Sequence, residues 1–178
     1  MQPPIMIMGI MASGKSRIAE QIAARVGGVF IECDDWHPES NVAKMQAGIP
    51  LTDEDRWPWL DRLADEVGRA AENGPRVVFS CSALKRAYRD RLRARLPDLT
   101  TICLTLDAET AVQRSSGRSD HFMPTELVDS QLATLELPEN EPRTMTVDAT
   151  AEFEAVLEAA ARALQALERS DSKRVVSG

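Results

Sequence analysis

Short apolar runs alternate with stretches of helical periodicity along the whole chain. The apolar runs cover residues 4–10, 29–33, 76–81, 100–106 and 143–149, and continuous runs of this length are typical of strands buried on both faces. Between them, apolar residues recur every three or four positions, as Ile18, Ile22 and Val26 do in the first stretch. Predicted helices therefore cover residues 14–26, 41–47, about 57–74, 84–96, 108–115, 125–135 and 152–167.

Five strands that alternate with helices predict an α/β protein with a five-stranded parallel sheet and helices on both faces. No linker divides the chain, so we expect one domain over residues 1–168. A polar, glycine-containing segment at about residues 115–124 interrupts the helical pattern, and we expect a small mobile lid there. Residues 169–178 are small and polar without periodicity, which predicts a disordered tail.

Composition limits the classes of partner. The 178 residues carry a net charge of −7, so no overall basic field attracts nucleic acid, and any phosphate site has to be local. The first apolar run is too short to span a bilayer and lacks the features of a signal peptide. Cys33, Cys81 and Cys103 form no CxxC pair, so we expect reduced thiols in a cytoplasmic protein.

The strongest motif follows the first strand directly. Residues 9–16, "GIMASGKS", fit G-x-x-x-x-G-K-[ST] with a strand before them and an amphipathic helix after them, which is the context of a phosphate-binding loop. Backbone N–H groups and the helix N-terminus would surround a β-phosphate. Lys15 would bridge the β- and γ-phosphates, and Ser16 would offer its hydroxyl to Mg²⁺. The motif indicates a nucleotide but not the acceptor.

The stretch "DDWHPESN", residues 34–41, combines acids, an aromatic and a histidine at the end of the second strand. Ligands of open α/β sheets bind at the carboxyl ends of strands, so Asp34 would accept a hydroxyl proton or help to hold Mg²⁺. His37 and Arg56 follow in the predicted loops. Arg56 suits a carboxylate or phosphate, whereas His37 fits a substrate contact and a structural hydrogen bond equally well.

Two further groups of cations lie near this edge. Lys85 starts the helix after the third strand, where a cation opposes the helix dipole, and this local cost favours a functional role. Arg93, two turns further on, fits a solvated basic face. Arg114, Arg118 and His121 flank or occupy the predicted lid, where arginines could close over a transferring phosphoryl group.

At this point the chain resembles the small gluconokinases of the P-loop kinase superfamily. The resemblance rests on "GKS" after a strand, on "HPESNVAKMQAGIPL" with its HP, N, KM, G and PL, on "DEDRWPWL", on "CSALK" followed by YRD, on the R, R and HF of the lid segment, and on "QLATLELP". These pieces span about residues 5–138 in the family's order. The run from HP to CSALK is far more specific than the phosphate loop.

The resemblance implies transfer of the ATP γ-phosphoryl group to the 6-hydroxyl of D-gluconate, with Mg²⁺, a moving lid and often a homodimer. It implies ATP contacts from Gly9, Ala12, Ser13, Gly14, Lys15, Ser16, Arg114 and Arg118. It places Asp34, His37, Arg56, Lys85 and His121 at the sugar acid. Lys15, Asp34 and Arg118 would be the catalytic residues, and Ser16 and Asp34 the metal ligands.

Three departures from the family pattern leave alternatives open. Met11 and Ala12 replace Ser and Gly in the loop, and Ala12 lacks the freedom of glycine at positive φ. Glu32-Cys33-Asp34 replaces D-G-D, and Asp120 brings an anion into the lid. Another small hydroxy-acid kinase, such as a shikimate-type enzyme, and a nucleotide-binding regulator without catalysis remain the competing interpretations.

Overall fold

Five parallel strands form the centre of the protein: β1 (Ile5–Gly9), β2 (Val29–Glu32), β3 (Val77–Cys81), β4 (Thr100–Thr105) and β5 (Thr144–Asp148). Their order across the sheet is β2-β3-β1-β4-β5, and every neighbouring pair is parallel. This is a computed structural model that describes residues 2–47, 49–72, 74–116 and 125–176. The predicted fold class is confirmed.

Helices cover both faces of the sheet. They are α1 (Lys15–Arg25), α2 (Glu39–Gln46), α3 (Asp53–Glu72), α4 (Arg86–Arg95), α5 (Ala108–Ser116), α6 (Thr125–Thr134) and α7 (Phe153–Val176), with one 3₁₀ turn at Cys33–Trp36. Ile5 and Ile7 of β1 pack with α1 and α7. Met6 and Met8 of the same strand pack with α3 and α4 on the other face. The alternation of side chains along β1 thus joins two separate cores.

Only the inner strands are buried throughout. β1 and β3 are buried at every residue, and β4 at all but its last. The edge strands β2 and β5 keep exposed positions, among them Val29 and Met145. The expectation of five buried strands is therefore wrong for the two edges, because an edge strand has a neighbour on one side only.

Helix α3 begins earlier than its apolar periodicity predicts. The Asp55 N–H donates to the Thr52 hydroxyl at 3.3 Å, and the Asp55 carboxylate accepts the Thr52 N–H at 3.0 Å. This reciprocal arrangement is a capping box, which starts the helix at Asp53. Arg56 consequently lies on a helix rather than in a loop, and its direction is fixed by the helix geometry.

Two other helix ends differ from the prediction. Helix α2 starts at Glu39, directly after Pro38, rather than at Asn41. Helix α7 continues through Val176, beyond its predicted end at Leu167. Arg76 pairs with Glu168, and the Ser170 hydroxyl donates to the Leu167 carbonyl. These contacts stabilise the helix just after its predicted end, where the apolar pattern is too weak to predict a helix.

The carboxyl ends of all five strands lie at one edge. β1 and β3 are neighbours, but the connection after β1 leads to β2 and that after β3 leads to β4. Such a reversal opens a crevice between the two strands. A small apolar cluster also lies at this edge, formed by Ile10, Leu84, Leu106, Ala111 and Val128. The phosphate loop, the 3₁₀ turn and the start of α4 therefore border one crevice.

Candidate active site

The loop between β1 and α1 is built on glycines that no side chain could replace without strain. A Cβ on Gly9 would lie 2.7 Å from the Leu104 carbonyl oxygen and 2.8 Å from the Ser13 hydroxyl oxygen. Gly14 has a φ of +80° and forms the N-cap of α1. The predicted loop over residues 9–16 thus has the turn and the close approach that its motif requires.

Ala12 keeps the loop in a conformation that normally favours glycine. Its φ is +60°, in the left-handed region that costs an alanine roughly 1 kcal/mol or more. This loop therefore holds a non-glycine residue in a left-handed conformation.

Helix α1 offers an unopposed N-terminus to this loop. Lys15 is its first residue and Ser16 its second, and no acidic side chain lies in the first turn. The free N–H groups of such a turn carry partial positive charge. Together with the Lys15 ammonium group they can hold a polyphosphate.

A cavity of about 370 Å³ lies outside the loop, between α1, Arg114 and the start of α7. Arg114 donates to the carbonyl oxygens of Thr150 and Ala151 at 3.1 and 2.9 Å. Arg17 lies 4.1 Å above the ring of Phe153. Two guanidinium groups held in place beside the phosphate loop give the cavity flat cationic surfaces.

Asp34 projects from the 3₁₀ turn at the end of β2. Its side chain is 76% exposed, while the turn beneath it is fixed by a hydrogen bond of 2.9 Å from the Trp59 indole to the Cys33 carbonyl. Ligand atoms of Glu32, Cys33 and Asp34 lie within 4.8 Å of one another. The two carboxylates suit Mg²⁺, whereas the Cys33 thiol does not.

His37 is held by structural contacts on several sides of its ring. Its side chain is 5% exposed and its ring stacks on Trp59 at 4.1 Å. The Asn41 amide nitrogen donates to the Asp55 carbonyl at 2.9 Å and lies 3.3 Å from Nδ1 of His37. Because that amide nitrogen is a donor, Nδ1 is the acceptor and Nε2 carries the proton.

The protonated Nε2 of His37 faces Asp34 at 3.9 Å. Burial lowers the pKa of His37 from its usual value, the Asp34 carboxylate works against this shift, and Arg56 adds to it. The imidazole is therefore neutral at pH 7. A neutral ring with a fixed N–H can donate to a hydroxyl or carboxylate of a ligand in the crevice.

Asn41 and Asp55 form a supporting layer that our sequence analysis did not single out. Lys44 donates to both Asp55 oxygens at 2.6 and 2.8 Å, and Asn41 is 1% exposed. Hydrogen bonds from Lys44 and Thr52 lower the pKa of Asp55. The N, KM and D of the family pattern were available in the sequence, but their contacts across elements were not.

Lys85 binds an acid that the sequence did not point to, and Arg56 lies nearby. The Lys85 ammonium group binds Asp53 at 2.8 and 3.0 Å, and the Tyr88 hydroxyl donates to the same carboxylate. The Arg56 guanidinium lies 5.7 Å from the Tyr88 ring centroid. Lys85 and Tyr88 hold the pKa of Asp53 below its usual value. Two cations and one anion thus form this wall of the crevice.

Arg93 does not lie on a solvated basic face, and that prediction is wrong. Its guanidinium group is 2.7 Å from the Glu141 carboxylate, which also pairs with the fully buried Arg89. Burial alone would raise the pKa of Glu141, but hydrogen bonds from the two arginines outweigh it and lower the pKa. Arg89 also donates to the carbonyls of Ala83 and Leu84. Arg89 and Arg93 therefore form a buried support, with Glu141, for the turn that carries Lys85.

Two predicted residues cannot be placed. Arg118 and His121 lie outside the described residues, as does nearly all of the predicted lid. The cysteines are free and buried. Contact with Cys81 and burial raise the pKa of Cys33, and burial raises that of Cys103 to about 11, so both thiols are protonated and unreactive at neutral pH.

Known proteins are similar to this chain in sequence, and some solved structures are similar to it in fold. A family model described as an AAA domain matches residues 5–136. The thermosensitive gluconokinase of Escherichia coli K12 is 43% identical over 75% of this chain and 71% of its own length. The gluconokinase of Gluconobacter oxydans 621H is 40% identical over 91% of both chains. The chain belongs to the gluconokinase family.

Solved structures agree with this membership. A gluconokinase from Sinorhizobium meliloti 1021 superposes with a TM-score of 0.88 at 42% identity, over 97% of both chains. A shikimate kinase from Bacteroides thetaiotaomicron has a TM-score of 0.59 at 15% identity, a likeness of fold alone. The fold is thus not confined to this family. Within the described ranges, no helix has the length and apolarity needed to cross a bilayer.

Proposed function

We propose that this protein transfers the γ-phosphoryl group of ATP to the 6-hydroxyl of D-gluconate, giving 6-phospho-D-gluconate. The observation that carries the proposal is the position of a complete phosphate loop and of a cationic wall, Lys85 and Arg56, at the same edge of the sheet. A polyphosphate at the loop and a hydroxy acid at the wall would then meet in one crevice.

The nucleotide side fits ATP in shape and charge. The phosphates would lie on the loop over residues 9–16, and the base end in the cavity beside Arg114, whose guanidinium plane suits stacking on a flat ring. The Ser13 hydroxyl is buried, and within the described part of the chain it has no hydrogen-bond partner. An orphaned hydroxyl in the loop is a group that a bound phosphate or its water would satisfy.

Mg²⁺ would be held by the Ser16 hydroxyl and the Asp34 carboxylate, with Glu32 close by, since hard cations prefer such oxygen ligands. When bound, it supplies positive charge to the β- and γ-phosphate oxygens. Glu32 replaces the first Asp of the family's D-G-D, and it accepts a hydrogen bond from the buried Ser80. The substitution therefore retains a carboxylate at this strand end.

The acceptor would lie along the wall formed by His37, Arg56 and Lys85. Arg56 and Lys85 attract the carboxylate, and the fixed Nε2–H of His37 donates to a hydroxyl. Asp34, exposed to the crevice, accepts the proton of the attacking hydroxyl. Asp53 offsets one of the two cations, which leaves a net charge suited to a singly charged sugar acid rather than to a phosphorylated one.

Some features of the proposal lie beyond the described residues. Arg118 and His121 would close over the phosphates and the acceptor from the lid. We also propose a cytoplasmic location, in keeping with the reduced cysteines, and a homodimer, in keeping with the family resemblance. Neither is needed for the chemistry above.

A non-catalytic regulator was the main alternative of another class. Its support was Met11, Ala12 and Asp120, but Ala12 adopts a φ of +60°, in the region that glycine favours, so alanine does not prevent a left-handed turn in the loop. A shikimate-type acceptor is the alternative within the same class. The likeness to shikimate kinase extends only to the fold, so it does not favour that acceptor.

The experiment is a screen of sugar acids and cyclic hydroxy acids for acceptor-dependent ADP release, with ATP and Mg²⁺ present. We expect D-gluconate to give the highest kcat/KM and shikimate to give none above background. The product should carry its phosphate on the 6-oxygen. Release of ADP that no acceptor stimulates would instead favour the regulator, and a preference for shikimate would overturn the assignment of the wall.

A further inference from the structure

The phosphate loop is attached to a distant helix by one hydrogen bond. The backbone N–H of Met11 donates to Oε1 of Gln131 at 2.7 Å, across 120 positions of sequence. Gln131 lies near the end of α6, which directly follows the residues of the predicted lid. Gln131 belongs neither to the loop nor to the acceptor wall.

The Met11 side chain strengthens the same attachment. It packs against the apolar cluster at the carboxyl edge of the sheet. Val112 of α5, Leu132 of α6 and Leu135 just after α6 pack against the same cluster. The methionine that departs from the family pattern is therefore an anchor. Its backbone and its side chain both join the top of the loop to the α5–α6 layer.

This attachment lies next to the strained residue of the loop. Ala12, with its φ of +60°, immediately follows Met11, and the Ser13 N–H closes the turn onto the Ile10 carbonyl at 3.3 Å. A loop that binds phosphate through N–H directions depends on small shifts of its backbone. A fixed hydrogen-bond acceptor for the Met11 N–H limits such shifts of the loop backbone.

The residues just after α6 contact the turn that carries Lys85, at the other wall of the crevice. The Glu136 N–H donates to the Leu84 carbonyl at 2.9 Å, and the Glu136 carboxylate accepts the Arg86 N–H at 2.6 Å. Arg89 donates to the Glu136 carbonyl at 2.9 Å. These contacts fix the turn that carries Lys85. One short segment, residues 131–136, thus contacts both the nucleotide loop and the acceptor wall.

We propose that Gln131 is a positioning residue for the nucleotide: its carboxamide oxygen holds the phosphate loop in the binding conformation through the Met11 N–H. It does not need to touch the nucleotide. The proposal rests on the proposed function only in taking residues 9–16 as the nucleotide site, and it does not depend on which acceptor the enzyme uses.

The test compares Gln131→Met with the wild type. Methionine keeps the length and packing of the side chain but offers no comparable acceptor. Direct titration with Mg·ADP, without any acceptor substrate, should show a dissociation constant raised about fivefold, as expected for one lost hydrogen bond. The KM for the acceptor should stay within about twofold. Ser130→Ala, an exposed change at the neighbouring position, should leave both constants unchanged.

Gln131→Glu provides the rescue. Its carboxylate can again accept the Met11 N–H, and its added charge weakens nucleotide binding only through screened repulsion. Relative to the wild type, its loss should therefore shrink as salt is raised, whereas the loss in Gln131→Met should not. If both variants stay equally weak at high salt, the acceptor oxygen is not the cause and the proposal fails.

Other outcomes also decide the matter. An ADP affinity within about twofold of wild type in Gln131→Met overturns the proposal. So does an equal rise in the ADP dissociation constant and the acceptor KM together with a melting temperature lowered by about 2–4 °C, since that pattern reports general destabilisation. Failure of the wild type to bind ADP at all would instead refute the proposed function.

Discussion

The nucleotide loop and the acceptor wall lie at the same edge of the sheet but are built in different ways. The loop over residues 9–16 is one continuous segment, shaped by Gly9, Ala12 and Gly14 and presented by a helix N-terminus. The wall gathers His37, Arg56 and Lys85 from three separate elements. Asn41 supports His37 and is itself bonded to the Asp55 carbonyl, Asp53 and Tyr88 hold Lys85, and Arg56 lies beside the Tyr88 ring.

The difference shows where specificity resides. A loop that binds through its backbone recognises phosphate whatever molecule carries it. A wall that binds through side chains can recognise one acid and reject another, because each donor has a fixed direction. Changes in the loop should therefore affect ATP and turnover, whereas changes in the wall should affect the acceptor.

The largest expected effect is that of Lys15→Ala. If the Lys15 ammonium group supplies charge to the transferring phosphoryl group, as proposed, its loss should lower kcat by at least about 10³-fold. Because Lys15 is only half-buried, at the first residue of α1, the melting temperature should change little. Circular dichroism and steady-state kinetics on the same preparation measure both.

Arg25→Ala is the matched control for Lys15→Ala. Arg25 lies at the other end of α1 in an exposed ion pair with Glu158, and its removal should leave kcat unchanged. Comparable turnover in Lys15→Ala and Arg25→Ala would remove the phosphate-loop assignment.

The next largest effect is expected for Asp34→Asn. If Asp34 accepts the hydroxyl proton, kcat should fall by about 10²–10⁴-fold, while the fold and the acceptor KM stay nearly unchanged. If Asp34 only caps its turn, asparagine serves about as well and kcat should hardly move. Asp35→Asn, on the same 3₁₀ turn, is the control and should retain its turnover.

Arg56→Ala tests the wall alone. A guanidinium–carboxylate hydrogen bond contributes about 1.5–3 kcal/mol, so the gluconate KM should rise by about 10- to 100-fold while the ATP KM stays within about twofold. Arg62→Ala removes an exposed arginine from the same helix and should change neither constant. A parallel rise in both KM values after Arg56→Ala would assign the residue a structural role.

Sequence reasoning recovered the two regions unequally. The loop could be predicted in full, because its chemistry depends on eight consecutive residues and on the strand and helix around them. His37, Arg56 and Lys85 were named only as separate candidates, and their contact with the acceptor stays a prediction. Asp53 was missed because its meaning arises from contact with Lys85, which follows it by 32 positions, and no local pattern records such a contact.

Burial was the second quantity that the sequence could not supply. Arg93 has the spacing of a solvated stripe, yet Glu141 from a distant loop turns it into part of a buried ion-pair network. The capping box at Thr52 and Asp55 was legible in the sequence, but the apolar periodicity drew attention to a later start. Charge and periodicity predict elements well, whereas partners from remote segments decide what a charged residue does.

A smaller effect is expected from pH, and it arises in the wall. Because burial lowers the pKa of His37, the unfolded chain takes up a proton near pH 6.5, while the folded protein does so only at lower pH. The unfolded state thus binds more protons in this window, and the free energy of unfolding should fall as pH drops below about 6.5 and then level off.

Thermal unfolding of wild type and His37→Gln between pH 7.5 and 5.5 measures this contribution. The difference in melting temperature between the two proteins should depend on pH in this range. The carboxylates with lowered pKa, Asp53 and Asp55 among them, lose their contribution only at more acidic pH. A difference that stays constant from pH 7.5 to 5.5 would show that His37 does not titrate as inferred.

The smallest expected effect is that of Ala12→Gly in the loop. Glycine would relieve the strain of a φ of +60°, worth roughly 1 kcal/mol, but it also gives the unfolded chain more freedom, which costs about 0.4–1 kcal/mol. The two terms nearly cancel, so the melting temperature should shift by no more than a few degrees and the ATP KM should stay within about twofold. Ala12→Val is the contrasting change, because a β-branched side chain tolerates this dihedral angle worst, and it should lower stability and ATP affinity together. If Ala12→Gly alone raised ATP affinity about tenfold, the alanine would be restraining the loop. The shape of the loop would then depend on a side chain, as the shape of the wall does, and the contrast between the two regions would fail.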